Sequence, residues 1–180
     1  MEPRTLPGEA ESKPGAPPSL VPDLCGDFNM RIDRNGTWYY RGSPIGRLAL
    51  VKLFSTVLRR DDQGLHWLTT PVENGRIEVE DAAFIAVELM TEGQGQTQIV
   101  TFRTNVDDLV TLDDAHALRV VSDAGSGEPR PYIHVRKGLE ARLARAVYYH
   151  LVEIGEENGQ GIFGVWSSGT FFPLGSLTES

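Results

Sequence analysis

Apolar and polar residues alternate with a period of two along much of the chain, which predicts β-strands. Phe28, Met30 and Ile32 alternate with polar neighbours, and residues 33–36 supply a turn before an aromatic run at 38–40. Further short strands are predicted at residues 65–69, 77–80, 84–90, 98–104, 109–112, 118–122, 131–135, 162–166 and 170–174. Short strands separated by turns indicate a strongly curved antiparallel sheet.

Two segments instead follow the 3.6-residue period of an amphipathic helix. The first is predicted to begin at Ser43 and Pro44, a capping hydroxyl followed by a proline at the first helical position, and to end at about residue 60. The second is predicted to open at Gly138 and Glu140 and to reach residue 154. Since strands flank both helices, the sequence predicts an α+β fold.

The two helical segments align when the chain is shifted by 95 residues. Over positions 41–64 the shift gives six identities without a gap, including Arg47 on Arg142 and Gly64 on Gly159. Chance pairing would give roughly one or two. We therefore predict two small subdomains built from a duplicated strand–helix–turn–strand motif, with Arg47 and Arg142 at equivalent points near the two helix starts.

Composition and charge narrow the class of protein. The chain has 180 residues, a net charge of −8 and a pI of about 5.0, which argues against nucleic acid as a partner. The single Cys25 excludes an internal disulfide and a cysteine-built zinc site.

Residues 1–22 are rich in proline and lack a signal-peptide pattern, so a disordered tail and a cytoplasmic location are predicted. No stretch is apolar enough for a membrane helix, so no membrane association is predicted. Residues 23–75 and 76–180 are predicted to form the N-terminal and C-terminal subdomains.

The negative charge is concentrated in residues 76–128, which carry eleven acidic and three basic side chains. A basic island follows, and its members are Arg130, Arg136, Lys137, Arg142 and Arg145. Such an island faces either an acidic patch of its own chain or an anionic ligand.

A cation near a helix start is unfavourable by up to about 1 kcal/mol, so Arg47 and Arg142 both need a compensating partner. That partner is either an anion such as a phosphate or a carboxylate of the same chain, with Glu80 and Asp81 as candidates. Tyrosines and Trp166 near the island are either stacking faces for a base or ordinary core and rim residues.

The carboxylates Glu78, Glu80 and Asp81 suggest a weaker metal alternative. Two of them could hold Mg²⁺ beside a substrate phosphate, although a solvated face or pairing with arginines is the commoner role. The pattern G-x-G-x-x-G at residues 159–164 follows a helix and opens a strand, whereas a dinucleotide fingerprint follows a strand and opens a helix. The sequence therefore predicts no cofactor.

Several motifs together resemble the bacterial family filed as domain of unknown function 1285. They are W-Y-Y-R-G-S-P-I-G-R at 38–47, L-T-T-P-V-E at 68–73, I-E-V-E-D at 77–81, F-R-T-N at 102–105, P-Y-I-H-V-R at 131–136, L-E-A-R-L at 139–143 and W-S-S-G at 166–169. The resemblance covers about residues 25–175. Where that family has a lysine after its T-P-x-E run, this chain has Asn74, so no role is carried over for that lysine.

The resemblance implies a two-part fold with a C-terminal part superficially similar to a pleckstrin-homology-like domain. It also implies a ligand site in the cleft between the parts, a nucleotide-like ligand and a role in signalling.

Residues and resemblance together favour a non-enzymatic cytoplasmic sensor of a small anionic ligand. The expected ligand contacts are Arg47, Asn105, Tyr132, Arg136, Arg142, Arg145, Trp166 and Ser168. Two alternatives stay open: a Mg²⁺-dependent hydrolase acting on a nucleotide-like substrate, and a protein-interaction module that uses exposed strands.

Overall fold

The fold is built mostly from β-strands, and the computed structural model describes residues 25–176. The predicted tail at residues 1–22 lies outside that range. Two nine-residue helices, α1 (Leu48–Thr56) and α2 (Arg145–Glu153), accompany the strands. The strands are β1 (Cys25–Ile32), β2 (Trp38–Tyr40), β3 (Ser43–Pro44), β4 (Leu58–Arg60), β5 (His66–Thr69), β6 (Asn74–Val79), β7 (Phe84–Glu92), β8 (Ile99–Thr104), β9 (Leu109–Thr111), β10 (Leu118–Ser122), β11 (Pro129–Arg136), β12 (Leu139–Leu143), β13 (Glu156–Glu157), β14 (Ile162–Ser167) and β15 (Thr170–Ser176).

The strands form three sheets. The first has the order β3-β2-β1-β6-β5-β4 and the second the order β10-β11-β12-β7-β8-β9, while β13, β14 and β15 form a small third sheet. Each larger sheet contains one parallel pair, β1 with β6 and β12 with β7, so both are mixed. The predicted α+β class with a curved antiparallel C-terminal sheet is therefore wrong, because the architecture is mainly β and the sheet is not purely antiparallel.

The first helix begins later than the sequence predicts. Ser43 and Pro44 form β3, which pairs with β2 across a two-residue turn at Arg41 and Gly42. Both turn residues have left-handed backbone, with φ of 48° and 81°, as a tight hairpin turn requires. Ser43 and Pro44 therefore belong to a hairpin strand and not to a helix start, and Arg47 is the residue that precedes the helix.

The second helix also begins later. Leu139, Ala141 and Leu143 are buried while the residues between them are half-buried, so the segment is the strand β12. Apolar residues four apart fit a strand as well as a helix, which explains the wrong prediction. Arg142 consequently lies within β12, whereas Arg145 is the first residue of α2.

The predicted duplication is wrong in its register. The helices start at Leu48 and Arg145, which are not 95 residues apart, and Arg47 precedes a helix while Arg142 lies inside a strand. The two larger sheets share one strand order, 3-2-1-6-5-4 when each is counted in chain order, but α1 lies between the third and fourth strands of the first sheet, whereas α2 follows the sixth strand of the second. Arg47 and Arg142 therefore do not occupy equivalent positions.

One hydrophobic core runs through both parts of the chain. Its largest fully buried side chains include Trp38 from the first sheet and Phe84 and Phe102 from the second. Burying side chains of this size contributes about 1.5–3 kcal/mol each, which makes this shared core the main attachment between the sheets. Neither helix of residues 25–176 is long and apolar enough to cross a membrane.

Candidate functional site

Three arginines of the basic island line one cavity of about 460 Å³, here called the arginine cavity. Its basic and aromatic wall consists of Arg130, Arg142, Arg145, Tyr148 and Tyr149. Two negatively charged residues, Asp123 and Glu128, also line the cavity and lie in the loop between β10 and β11. The cavity therefore combines guanidinium groups, phenol rings and two carboxylates.

Helix α2 presents three of the wall residues on one edge. Arg145, Tyr148 and Tyr149 stand at positions i, i+3 and i+4 of the helix, which places them on the same face. Arg130 comes from β11 and Arg142 from β12, the neighbouring strands of the second sheet. Local helical spacing and strand pairing together bring the basic wall into one place.

Arg145 is an exposed cation of this wall. Its Nε donates to the hydroxyl of Tyr149 at 2.8 Å, and its guanidinium lies 5.4 Å from the centre of the Tyr149 ring. The hydrogen bond to Tyr149 raises the pKa of Arg145, so the charge is permanent. In the part of the chain that the structure describes, no carboxylate lies within ion-pair distance of Arg145, whereas Arg130 pairs with Asp123 at 2.7 Å.

Tyr148 stands beside this cation as a neutral phenol. Burial of its side chain raises the pKa of Tyr148, so the hydroxyl keeps its proton at neutral pH. A neutral phenol can donate a hydrogen bond to an anion, which adds a donor to the guanidinium of Arg145.

Arg142 connects the arginine cavity with the first sheet. Its Nε lies 3.1 Å from Oδ2 of Asp81, and its Nη2 donates to the backbone carbonyl of Arg34 in the β1–β2 turn at 2.5 Å. Pairing with Asp81 was one of the two outcomes that the sequence left open for Arg142. The guanidinium is thus engaged by its own chain while it also lines the cavity.

Tyr132 is not an open stacking face. The side chain is 5% exposed, and its hydroxyl donates to Oδ1 of Asp81 at 2.7 Å. Arg119 covers the ring at 4.5 Å from its centre and also forms a two-point contact with Glu140. Tyr132 therefore holds Asp81, the partner of Arg142, in place.

Asn105, Trp166 and Ser168 make structural contacts away from the arginine cavity. Oδ1 of Asn105 accepts from the N–H of Ile85 at 3.1 Å, and its Nδ2 donates to the carbonyl of Gly36 at 3.2 Å. The hydroxyl of Ser168 donates to a backbone carbonyl, and Trp166 packs edge-to-face on a neighbouring ring at 5.3 Å. These contacts fasten loops and strands to one another.

Arg136 and Arg47 also lie outside this cavity. Arg136 donates to Oδ2 of Asp108 at 3.1 Å and to the carbonyl of Ser55 at 2.6 Å, and it lies 5.2 Å from the centre of the Phe84 ring. Arg47 is exposed at the start of α1. The structure thus brings together only Arg142 and Arg145 of the eight expected ligand contacts.

The carboxylates of the metal alternative are divided between separate contacts. Glu80 pairs with Arg31 and accepts the backbone N–H of Arg34 at 3.1 Å, while Asp81 binds Tyr132 and Arg142. Among residues 25–176, no three acidic, histidine or cysteine side chains are placed to hold one metal ion. This geometry favours the interpretation of Glu80 and Asp81 as partners of arginines.

A small cavity of about 150 Å³ lies between the two larger sheets, and Tyr132, Asp81, Arg60 and His66 are among the residues that line it. Burial, together with the nearby charge of Arg60, lowers the pKa of His66 to about 4, so its imidazole is neutral at physiological pH. Ligand pockets usually enclose about 300–1,000 Å³, so the arginine cavity fits a ligand better than this small cavity does.

Sequence reasoning placed Tyr148 and Tyr149 near the basic island but did not select them, and it missed Asp123 and Glu128. The helical spacing of Arg145 with the two tyrosines was the available signal. No local sequence signal pointed to Asp123 and Glu128, because their position beside the arginines depends on the pairing of β10 with β11.

Two family models match nearly the whole of the described chain. The N-terminal domain of unknown function (DUF1285) matches residues 18–82, and the C-terminal domain of the protein of unknown function (DUF1285) matches residues 83–174. No curated protein matches this chain.

Two crystal structures are similar to the fold. A DUF1285 family protein from Silicibacter pomeroyi DSS-3 has 46% identity and a TM-score of 0.82, with 93% of this chain and 91% of that chain covered. A DUF1285 family protein from Shewanella baltica OS155 has 27% identity and a TM-score of 0.54, with 75% of this chain and 94% of that chain covered. With both family models matched along residues 18–174, the chain belongs to the DUF1285 family.

Proposed function

We propose that the protein is a non-enzymatic binding protein for a small phosphate-bearing ligand, such as a nucleotide, held in the arginine cavity. The observation that carries this proposal is Arg145, an exposed guanidinium on a cavity wall without a carboxylate partner among residues 25–176. A guanidinium fork matches two oxygens of a phosphate, and such charge-assisted bonds are among the stronger hydrogen bonds in proteins.

The remaining wall residues suit the other parts of such a ligand. Tyr149 is 51% exposed, so its ring offers a surface on which a base can stack. Asp123 and Glu128 can accept hydrogen bonds from amino groups of a base, although Asp123 is shared with Arg130. The volume of about 460 Å³ lies in the usual range for small-molecule sites.

A sensor role is supported by the position of Arg142. This residue lines the cavity and also holds the carbonyl of Arg34 in the β1–β2 turn. An anion that draws the Arg142 guanidinium towards the cavity would weaken its contacts with Arg34 and Asp81. Binding would then change the attachment of the first sheet to the second, which is a means of signalling without a reaction.

Thermal unfolding with matched ligands tests the proposal. We expect AMP and pyrophosphate to raise Tm and adenosine to have little effect, because adenosine offers a base without a phosphate. The variant Arg145→Gln should lose the shift, whereas Arg47→Gln, which changes an exposed arginine at the start of the other helix and outside this cavity, should keep it.

Equal shifts with AMP and adenosine, or an unchanged shift in Arg145→Gln, would contradict the proposal. The same titrations with added Mg²⁺ separate binding from turnover. Product formation from a nucleotide that requires Mg²⁺ would favour the hydrolase alternative.

A further inference from the structure

The wall of the arginine cavity includes one guanidinium and one carboxylate that have no partner of opposite charge in the described chain. Arg145 has no acidic partner, and no arginine, lysine or histidine of residues 25–176 lies within ion-pair distance of Glu128. The other two guanidiniums of the wall are already paired with carboxylates. The cavity therefore offers a ligand one positive and one negative charge.

Asp123, the second carboxylate of the wall, is less available than Glu128. Its Oδ1 accepts the backbone N–H groups of Gly125 and Ser126, each at 2.9 Å, and its Oδ2 lies 2.7 Å from Nη2 of Arg130. Both oxygens of Asp123 are thus engaged. A ligand that needs both oxygens of one carboxylate in this cavity must use Glu128.

The β10–β11 loop holds the backbone of Glu128 in place beside the cavity. The N–H of Glu128 donates to the hydroxyl of Ser126 at 3.3 Å, and its carbonyl accepts the N–H of Asp123 at 2.8 Å. The next residue, Pro129, also lines the cavity and has a restricted backbone. The main chain therefore positions Glu128, while its side chain is exposed to a ligand.

Arg145 and Glu128 are close enough to contact one small molecule. The hydrogen bond to Tyr149 is the main cause of the raised pKa of Arg145, and the nearby charge of Glu128 adds to it. The ring of Tyr149 is 51% exposed, and its centre lies 5.4 Å from the Arg145 guanidinium. A phosphate on Arg145, a base against Tyr149 and the edge of that base on Glu128 are therefore compatible with one another.

A carboxylate distinguishes the nucleobases by the hydrogen-bond donors on their edges. Guanine presents two adjacent donors, N1–H and the N2 amino group, which match the two oxygens of a carboxylate. Adenine and cytosine present an amino group beside a ring-nitrogen acceptor, and uracil presents one N–H between two carbonyl acceptors. An acceptor opposite the second carboxylate oxygen is unfavourable. Among these bases, guanine alone satisfies both oxygens of Glu128.

We propose, as an extension that rests on the phosphate site proposed above, that the arginine cavity binds a guanine nucleotide. The phosphate lies on Arg145, and Glu128 accepts both donors of the base. Glu128 then determines which base is bound, whereas Arg145 holds the group that all nucleotides share. Adenine nucleotides keep the phosphate contact, so they bind at the same place with lower affinity.

Calorimetric titration of the full chain with GMP, IMP and AMP tests the proposal. We expect GMP to bind at least tenfold more tightly than AMP, with IMP between them because hypoxanthine has N1–H and lacks the N2 amino group. Glu128→Gln should reduce the ratio of GMP affinity to AMP affinity at least tenfold, since an amide pairs its donor and acceptor with adenine. This ratio is the readout because the loss of a negative charge alters the affinity for every phosphate.

Glu92→Gln provides the matched control. Glu92 is an exposed glutamate at the end of β7 that does not line the arginine cavity, so this variant should keep the preference for GMP. Equal affinities for GMP and AMP, or a GMP preference that Glu128→Gln retains, would overturn the guanine assignment. If Arg145→Gln still weakened binding, the phosphate site would stand without it.

Two further results would overturn the guanine assignment in different ways. Tighter binding of phosphoethanolamine than of GMP would assign Glu128 to an amine instead of a base. No saturable binding of GMP, AMP or pyrophosphate would overturn the phosphate site and the guanine assignment together.

Discussion

The arginines of the second sheet and α2 divide into two groups that differ in their surroundings. At the contact with the first sheet, Arg136 and Arg142 each hold a carboxylate and a backbone carbonyl. At the start of α2, Arg145 is exposed and its hydrogen-bond partner is the phenol of Tyr149 rather than a carboxylate. Neighbouring arginines of one basic island therefore differ in role, and the partners of each guanidinium, rather than its sequence position, determine whether it stabilises the fold or stays available to a ligand.

Removing Asp81 should have the largest effect, because Asp81 serves two side chains at once. We expect Asp81→Ala to lower the free energy of unfolding by about 2–4 kcal/mol, since Arg142 loses its counter-charge and the hydroxyl of buried Tyr132 loses its acceptor. Urea unfolding measures this effect. Glu78→Ala, on an exposed part of β6, is the control and should hardly change the free energy of unfolding. If the stability difference between the two variants depended on Mg²⁺, the structural role of Asp81 would be contradicted.

Arg136 should contribute somewhat less than Asp81 to the free energy of unfolding. Arg136→Gln removes the ion pair with Asp108 and disturbs the bond to the Ser55 carbonyl, so a loss of about 1.5–2.5 kcal/mol is expected in the free energy of unfolding. Chemical denaturation of the variant measures it, and Arg47→Gln supplies an exposed arginine for comparison. Similar stability losses in both variants would remove the distinction between engaged and exposed arginines.

His66, in the small cavity between the sheets, should make the free energy of unfolding depend on pH in the acid range. Burial lowers its pKa from 6.5 to about 4, so the unfolded chain binds a proton more readily than the folded one. The stability that comes from keeping the His66 imidazole neutral is fully present above about pH 6.5 and is lost as the pH falls towards 4. With allowance for partial exposure, it is about 1–2 kcal/mol.

The pH dependence of unfolding in His66→Gln measures this contribution by difference. The variant should lose less stability than the unchanged protein between pH 6.5 and 4. Parallel curves for the two proteins would show that His66 is protonated equally in the folded and unfolded chains.

Arg145→Gln should have the smallest effect on stability. Its side chain is exposed and stands at a helix start, where a cation gains nothing from the helix dipole. We expect denaturation curves that superimpose on those of the unchanged protein. A clear stability loss would place Arg145 with the structural arginines and weaken the binding proposal.

Local patterns predicted much of the strand content. The strand at 118–122 was predicted with its observed bounds, and the strand at 98–104 differs by one residue. These segments alternate regularly between turns, so the period of two determines them. The interiors of both helices were predicted for a similar reason, since Val51 and Phe54, and Val147 and Leu151, lie against the core at helical spacing. Ser55 was predicted for the polar face of α1 and is instead buried.

The errors arose where tertiary pairing competes with a local signal. Ser43 and Pro44 have the chemistry of a helix start, yet pairing with β2 makes them a strand. The 95-residue shift rests on sequence identities, but it aligns Arg47, which precedes α1, with Arg142, which lies inside β12, so the predicted motif does not repeat at that register.

The candidate site was predictable only in part. The clustering of Arg142 and Arg145 follows from their closeness in sequence, whereas the engagement of Arg142 by Arg34 depends on a contact 108 residues away. Long-range contacts of this kind decide which arginine remains available, and no local pattern encodes them.

Calorimetric titration of AMP into the unchanged protein and into Arg145→Gln measures whether Arg145 binds a phosphate. We expect saturable binding to the unchanged protein that weakens with added salt, as an interaction with a phosphate should. Binding to Arg145→Gln should be at least tenfold weaker at the same stability. Equal affinity in the two proteins, or no saturable binding of AMP or pyrophosphate to the unchanged protein, would contradict the arginine cavity as a phosphate site.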